Sequence, residues 1–129
     1  MIRYIIFLFS LAIMVSCAKG PGSGGNSTIR GKVWVKDYNG SFTLLLGSYY
    51  APEEDVYIIY GDEATYSERV KTNYDGTFEF RYLRPGNYKI YAYSKDSTLQ
   101  TTSMKAVIQD VSIGSKKEVV ITKDLVILK

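Results

Sequence analysis

KTNYDGTFEFRYLRPGNYKIYAYS, residues 71–94, is the stretch that decides the fold. Phe78, Phe80 and Tyr82 alternate with Thr77, Glu79 and Arg81, the period of two that marks a strand with one face buried. Beyond a short corner, Tyr88, Ile90 and Ala92 alternate with Tyr91 and Tyr93, which marks a second strand. Asp75-Gly76 precedes the first strand, and a glycine there permits the positive φ of a tight hairpin turn. Pro85 followed by Gly86 has the residue order of a type II turn, whose third residue needs φ > 0. Leu83 and Tyr88 flank this corner and are expected to plug one end of a core.

Outward from this pair the alternation continues. IRGKVWVKDY (29–38) sets Val33 and Val35 against Lys32, Trp34 and Lys36. DVYIIYG (55–61), TYSERVKT (65–72), MKAVIQDVSI (104–113) and KEVVITKDLVIL (117–128) read as further strands, and YNGS (38–41) as another Asn-Gly turn. No segment sustains a 3.6-residue apolar period. About seven or eight short strands separated by turns predict an all-β, Greek-key sandwich. A tyrosine just past a strand corner, as Tyr88 is, fits the tyrosine corner of such sandwiches, in which the hydroxyl bonds back to the main chain.

The order Asp75-Gly76-x-Phe78, then Leu83-x-Pro85-Gly86-x-Tyr88, resembles the carboxypeptidase regulatory-like domains, which are prealbumin-like seven-stranded sandwiches related to the B-type repeats of bacterial adhesins. IRGKVWV resembles the first strand of that family. The chain departs from the pattern in a longer first connection, residues 38–55, and in a longer ending. The resemblance implies a rigid, non-catalytic module that accompanies a transporter, peptidase or adhesin. Some adhesin repeats carry a Lys–Asn crosslink, for which Lys32 or Lys36 would lie on the right strand. The last segment offers no asparagine and YKIYAYS no acid, so no crosslink is expected here.

Composition narrows the chemistry. The chain has 129 residues, 46% of them hydrophobic, enough for one packed domain. It has no histidine, hence no imidazole to shuttle protons near neutral pH or bind a metal. A net charge of +3, with no basic stripe, does not call for a nucleic-acid partner. No cofactor and no metal are expected.

The single cysteine, Cys17, cannot form an internal disulfide. It ends the opening run MIRYIIFLFSLAIMVSC, in which Arg3 precedes apolar residues 4–15. As a helix that run rises roughly 18 Å, too short for a bilayer core of about 30 Å, and its flanks fit a secretory signal. Met14-Val15-Ser16-Cys17 resembles the lipobox of bacterial lipoproteins, with Met14 in place of the usual leucine. The resemblance implies transfer of a diacylglyceryl group to the Cys17 thiol, cleavage before Cys17 and acylation of its new amino group, palmitate being a typical chain. Stable anchoring needs at least two acyl chains. A competing reading is cleavage after Ala18, which would discard the cysteine. The expected layout is a signal over 1–16, a lipidated cysteine and glycine-rich tether over 17–28, and a sandwich over 29–129. The expected location is the cell envelope, on the outer membrane of a Gram-negative bacterium.

Two sets of side chains invite a functional reading. The acids Glu53-Glu54-Asp55 and Asp62-Glu63 flank one strand. They fit neither a glycosidase pair in a cleft nor an EF-hand, and read as loop charges. The tyrosines, 12 in all, are more informative. Tyr57, Tyr91 and Tyr93 alternate away from core positions, and exposed tyrosines can anchor a protein interface or stack on sugars. Two functions follow: a non-enzymatic envelope lipoprotein whose sandwich binds or scaffolds another envelope component, or an accessory lipoprotein that binds carbohydrate through those tyrosines. If Cys17 carries the lipid, Cys17→Ser should abolish incorporation of labelled fatty acid and release the chain from membrane fractions; equal labelling and retention would remove the anchor.

Overall fold

The computed structural model describes residues 20–97 and 103–129; Cys17 and the signal lie outside the described residues. Among the described residues, nine strands and no helix make two packed sheets: β1 (Ser23–Tyr38), β2 (Leu45–Tyr50), β3 (Asp55–Tyr60), β4 (Glu68–Lys71), β5 (Thr77–Leu83), β6 (Gly86–Lys95), β7 (Met104–Ile113), β8 (Val119–Ile121) and β9 (Leu125–Leu128). The chain is an all-β sandwich. In the first sheet β1 is the spine. Its first half pairs antiparallel with β5 and parallel with β8. Its second half pairs antiparallel with β2 and parallel with β9. The second sheet runs β4-β3-β6-β7, with every pairing antiparallel.

The core lies where the inward positions meet. β1 contributes Ile29, Val33 and Val35, β5 Phe78 and Phe80, and β9 Leu125 and Ile127. Facing them are Val56 and Ile58 of β3, Tyr88, Ile90 and Ala92 of β6, and Val111 and Ile113 of β7. Burying such side chains contributes about 1.5–3 kcal/mol each before conformational entropy is subtracted.

Four segments differ from the sequence reading. The connection 38–55 contains a strand of its own, β2. The final segment divides into β8 and β9, because Thr122–Asp124 leave the ladder after Thr122 donates its amide to the Arg30 carbonyl at 2.9 Å. Tyr82 does not join Phe78 and Phe80 inside. It adopts φ +59°, and the β1–β5 register slips there, Ile29 facing Phe80 but Ser27 facing Leu83. This bulge turns Leu83 inward and leaves Tyr82 67% exposed.

The fourth difference is the largest. Residues 20–28 are not a free tether and the domain does not begin at Ile29. β1 starts at Ser23, Ser27 is fully buried, and the segment is bound by the corner between β5 and β6. The Tyr88 hydroxyl donates to the Arg84 carbonyl at 2.5 Å and accepts the Gly22 amide at 2.9 Å. The Arg84 amide donates to the Gly22 carbonyl at 2.8 Å, and its guanidinium donates to the carbonyls of Gly20 and Ser23 at 2.8 and 2.7 Å. The chain runs so close to the corner that a Cβ on Gly25 would meet the Leu83 carbonyl oxygen, and one on Gly86 the Pro21 ring. Gly86 itself lies at φ +147°, beyond the value near +80° of a type II turn. The corner is thus held by the tyrosine hydroxyl and by Pro21 packing on Gly86. At the other end of β5, Asn73–Gly76 form a tight turn. Gly76 has φ +81°, its amide bonds to the Asn73 carbonyl at 3.0 Å, and the Asp75 carboxylate accepts the Thr77 amide at 3.0 Å.

Two stability tests follow from the corner. Tyr88→Phe strands the buried Gly22 amide and should lower unfolding free energy by about 1–3 kcal/mol. Gly86→Ala, forced to positive φ and against Pro21, should cost about 1–3 kcal/mol, whereas Gly40→Ala, whose Cβ meets nothing within 4 Å, should stay within about 0.5 kcal/mol. Denaturant melts of the three variants decide it; equal midpoints for the two glycine variants would show the corner to be unconstrained.

Candidate functional site

The candidate site is the outer face of the second sheet. Because β6 gives Tyr88, Ile90 and Ala92 to the core, Tyr91 and Tyr93 project from the opposite face. Register sets Tyr57 of β3 beside Tyr91 and Tyr91 beside Ile108 of β7, while Arg69 of β4 lies beside Tyr57. One row therefore crosses all four strands: Arg69, Tyr57, Tyr91, Ile108. The Tyr57 and Tyr91 rings stack with centroids 4.9 Å apart and planes 9° from parallel. Tyr93 closes edge-on against both, at 5.5 Å from Tyr57 and 5.6 Å from Tyr91. Tyr66 meets Tyr57 edge-on at 4.9 Å.

This arrangement alters the roles assigned from sequence. Tyr57 is half-buried and Tyr93 is 41% exposed, both on the outer face. Tyr91 faces outward but is only 8% exposed; the neighbouring rings cover it, so it is the floor of the cluster and not a contact residue. Burial, reinforced by the Tyr93 hydroxyl beside it, pushes the Tyr91 phenol up to about 12. Tyr66, 48% exposed, completes the cluster from the loop between β3 and β4. That loop is folded back by the Ser67 amide, which donates to the Ile58 carbonyl at 2.8 Å. The strand read over 65–72 is formed only at Glu68–Lys71, which leaves Tyr66 in the loop, where its place over Tyr57 depends on the fold and not on alternation.

The loop acids are not assembled. Glu54 pairs with Lys129 at 2.9 Å and Asp55 with Lys71 at 3.2 Å, while Asp62 and Glu63 lie past the far end of β3, roughly 20 Å away at the strand rise. Among the described residues no group of three or more His, Cys, Asp or Glu could hold a metal. The other sheet bears a smaller aromatic set. Trp34 packs edge-on against Tyr50 at 4.7 Å, and the Lys32 ammonium lies 4.6 Å from the Tyr50 ring. Lys32 is therefore engaged in a cation–π contact rather than aimed at an asparagine.

Residues 28–122 match the family model of the second β-sandwich domain of BOS complex subunit NOMO1-like proteins, and the chain belongs to that β-sandwich family. No curated protein matches it. Among solved structures, it is similar to a crystal structure from Pseudomonas aeruginosa described as that of a candidate carbohydrate-binding protein. Identity is 14%, covering 79% of this chain and 90% of that one, with a TM-score of 0.48.

The Tyr91 phenol gives a measurable signature. Its folded value of about 12 lies above the ordinary value near 10. Below pH 10 the proton is on in both states and the stabilisation is whole. As pH rises from about 10 to about 12 the unfolded chain releases the proton first, so this contribution is lost with rising pH. A 295 nm titration of the folded protein should show one tyrosine ionising last, in step with unfolding, and Tyr91→Phe should remove it. An unchanged final phase in Tyr91→Phe would place the buried phenol elsewhere.

Proposed function

We propose that the chain is a non-enzymatic, membrane-anchored binding module of the cell envelope that docks another envelope protein on the outer face of β3 and β6. The observation that carries this reading is the four-tyrosine cluster. Its floor, Tyr91, is buried without help from the core, and Tyr66 and Tyr93 stand exposed around it beside the exposed Ile108. Rigid aromatics above a pre-packed floor bury large area on contact at small entropic cost, and an Arg at the rim, here Arg69, is typical of such patches. The anchor is the lipid on Cys17. The ion-paired and separated acids fit a module without catalysis.

A protein partner is favoured over a sugar by the packing of the rings. Tyr57 and Tyr91 each give a face to the other, and Tyr66 and Tyr93 close on them edge-on, so the centre offers no open ring as a platform for a pyranose.

The test is a double variant, Tyr66→Ser with Tyr93→Ser. It should cost under about 1.5 kcal/mol of stability, the scale of one or two cross-strand pairs, yet abolish photo-crosslinking of an envelope protein to a benzophenone placed at position 108. Crosslinking that survives the double variant, or a glycan array that the native chain binds and the variant does not, would replace the protein-docking reading.

A further inference from the structure

We infer that the domain is held directly against the lipid surface by its β5–β6 corner, with β1 rising away from the membrane and only two residues, Ala18 and Lys19, between the anchor and the clamped segment. The inference rests on the anchor at Cys17 proposed above. What carries it is the clamp on residues 20–23. Six hydrogen bonds join this segment to Arg84, through its amide, Nε, Nη1 and Nη2, and to the Tyr88 hydroxyl, which accepts the Gly22 amide and also reaches the Gly22 carbonyl. Pro21 packs on Gly86, and its ring also lies beside Gly61. The glycines that look like a tether in the sequence are thus part of the fold.

Only Ala18 and Lys19 lie between Cys17 and Gly20. Three trans peptide steps span at most about 11 Å, close to the depth of one headgroup layer, about 5–8 Å. A free tether from Ala18 to Thr28 would instead have allowed a reach of roughly 18 Å in any direction. The clamp therefore fixes which end of the sandwich meets the lipid. That end comprises the 84–86 corner, the loop after β3 with Asp62 and Glu63, and the 114–118 loop, which Ser27 holds through the Ser115 carbonyl and the Glu118 amide. Lys116 and Lys117 are exposed on that loop. They balance Asp62 and Glu63, so the lipid, not surface charge, supplies the attachment. β1 carries the chain from Ser27 to Tyr38, roughly 36 Å at the strand rise, so the 39–44 hairpin points away from the bilayer. The tyrosine face lies along the side of the molecule, open to a partner standing on the same membrane.

Fluorescence quenching in vesicles tests this with the full chain carrying its lipid. Asp62→Cys and Ser41→Cys, both at exposed positions, are labelled with a maleimide dye; the native Cys17 thiol is consumed by its thioether. Vesicles of phosphatidylethanolamine and phosphatidylglycerol carry nitroxide headgroups. The dye at 62 should be quenched several-fold more than the dye at 41. A Gly/Ser insert of about 20 residues between Lys19 and Gly20, with an r.m.s. reach of about 25 Å, should erase the difference. Equal quenching at 62 and 41 in a chain that carries fatty acid would overturn the orientation and leave the anchor standing. A chain without fatty acid that fails to float with vesicles would overturn both.

Discussion

The Tyr88 hydroxyl is the contact on which the remaining architecture depends. It donates to the Arg84 carbonyl and accepts the Gly22 amide, and so ties the segment that leads into β1 to the turn between β5 and β6. Its ring, nearly wholly buried, packs edge-on against Tyr60 at 5.7 Å. One side chain thereby joins the start of β1, the end of β5 and the inner face of the second sheet. Buried polar groups are tolerated only when satisfied, which explains why a tyrosine, and not a phenylalanine, suits a place where an amide and a carbonyl have left their ladders.

β6 is committed on both sides in consequence. Its inner face is fixed by Tyr88, so by the alternation of a strand its outer face must present Lys89, Tyr91, Tyr93 and Lys95. The outer tyrosines then find Tyr57 in register and Tyr66 above it. The cluster has a double character: stacking and burial of Tyr91 add to the fold, while Tyr66 and Tyr93 remain available for contact. A cross-strand aromatic pair adds about 0.2–1 kcal/mol, a modest sum beside the core, so the exposed members can change with little harm to the fold.

The sandwich was legible in the sequence wherever alternation and turn chemistry agreed. Residues 104–113 were read with the bounds of β7, and the Asp75-Gly76 turn and the inward placement of Tyr88 follow from local pattern. The misreadings have physical causes. Glycine-rich composition reads as a flexible tether over 17–28, but Gly22, Gly24 and Gly25 serve close approach and positive φ, which composition does not distinguish from mobility. Alternation points Tyr82 inward with Phe78 and Phe80, but a bulge breaks the period of two there without any residue type that demands it. β2 has no inward face, every position being exposed, so no periodicity could mark it. Tyr91 was read as exposed because alternation fixes the face a side chain points to but not what lies over it; that depends on Tyr57 and Tyr66, which arrive from 34 and 25 positions earlier in the chain.

The edges of the second sheet bear on where a partner can bind. An unpaired edge strand invites another strand unless it is short or charged. β4 is both: four residues, Glu68 to Lys71, with Arg69 and Lys71 set around Asp55 at 4.0 and 3.2 Å. Strand addition at β4 would have to displace these charges, whereas the tyrosine face one strand inward is preassembled, with Tyr66 of the β3–β4 loop part of it. Arg69 and Lys71 share the single carboxylate of Asp55, so the rim beside Tyr57 keeps a net positive charge to orient an approaching surface, since rim charges govern encounter more than affinity. The same sheet thus rejects docking through its backbone at β4 and offers it through side chains on β3 and β6. Under the orientation proposed above, that face would stand parallel to the membrane normal, where the proposed partner would meet it from the side.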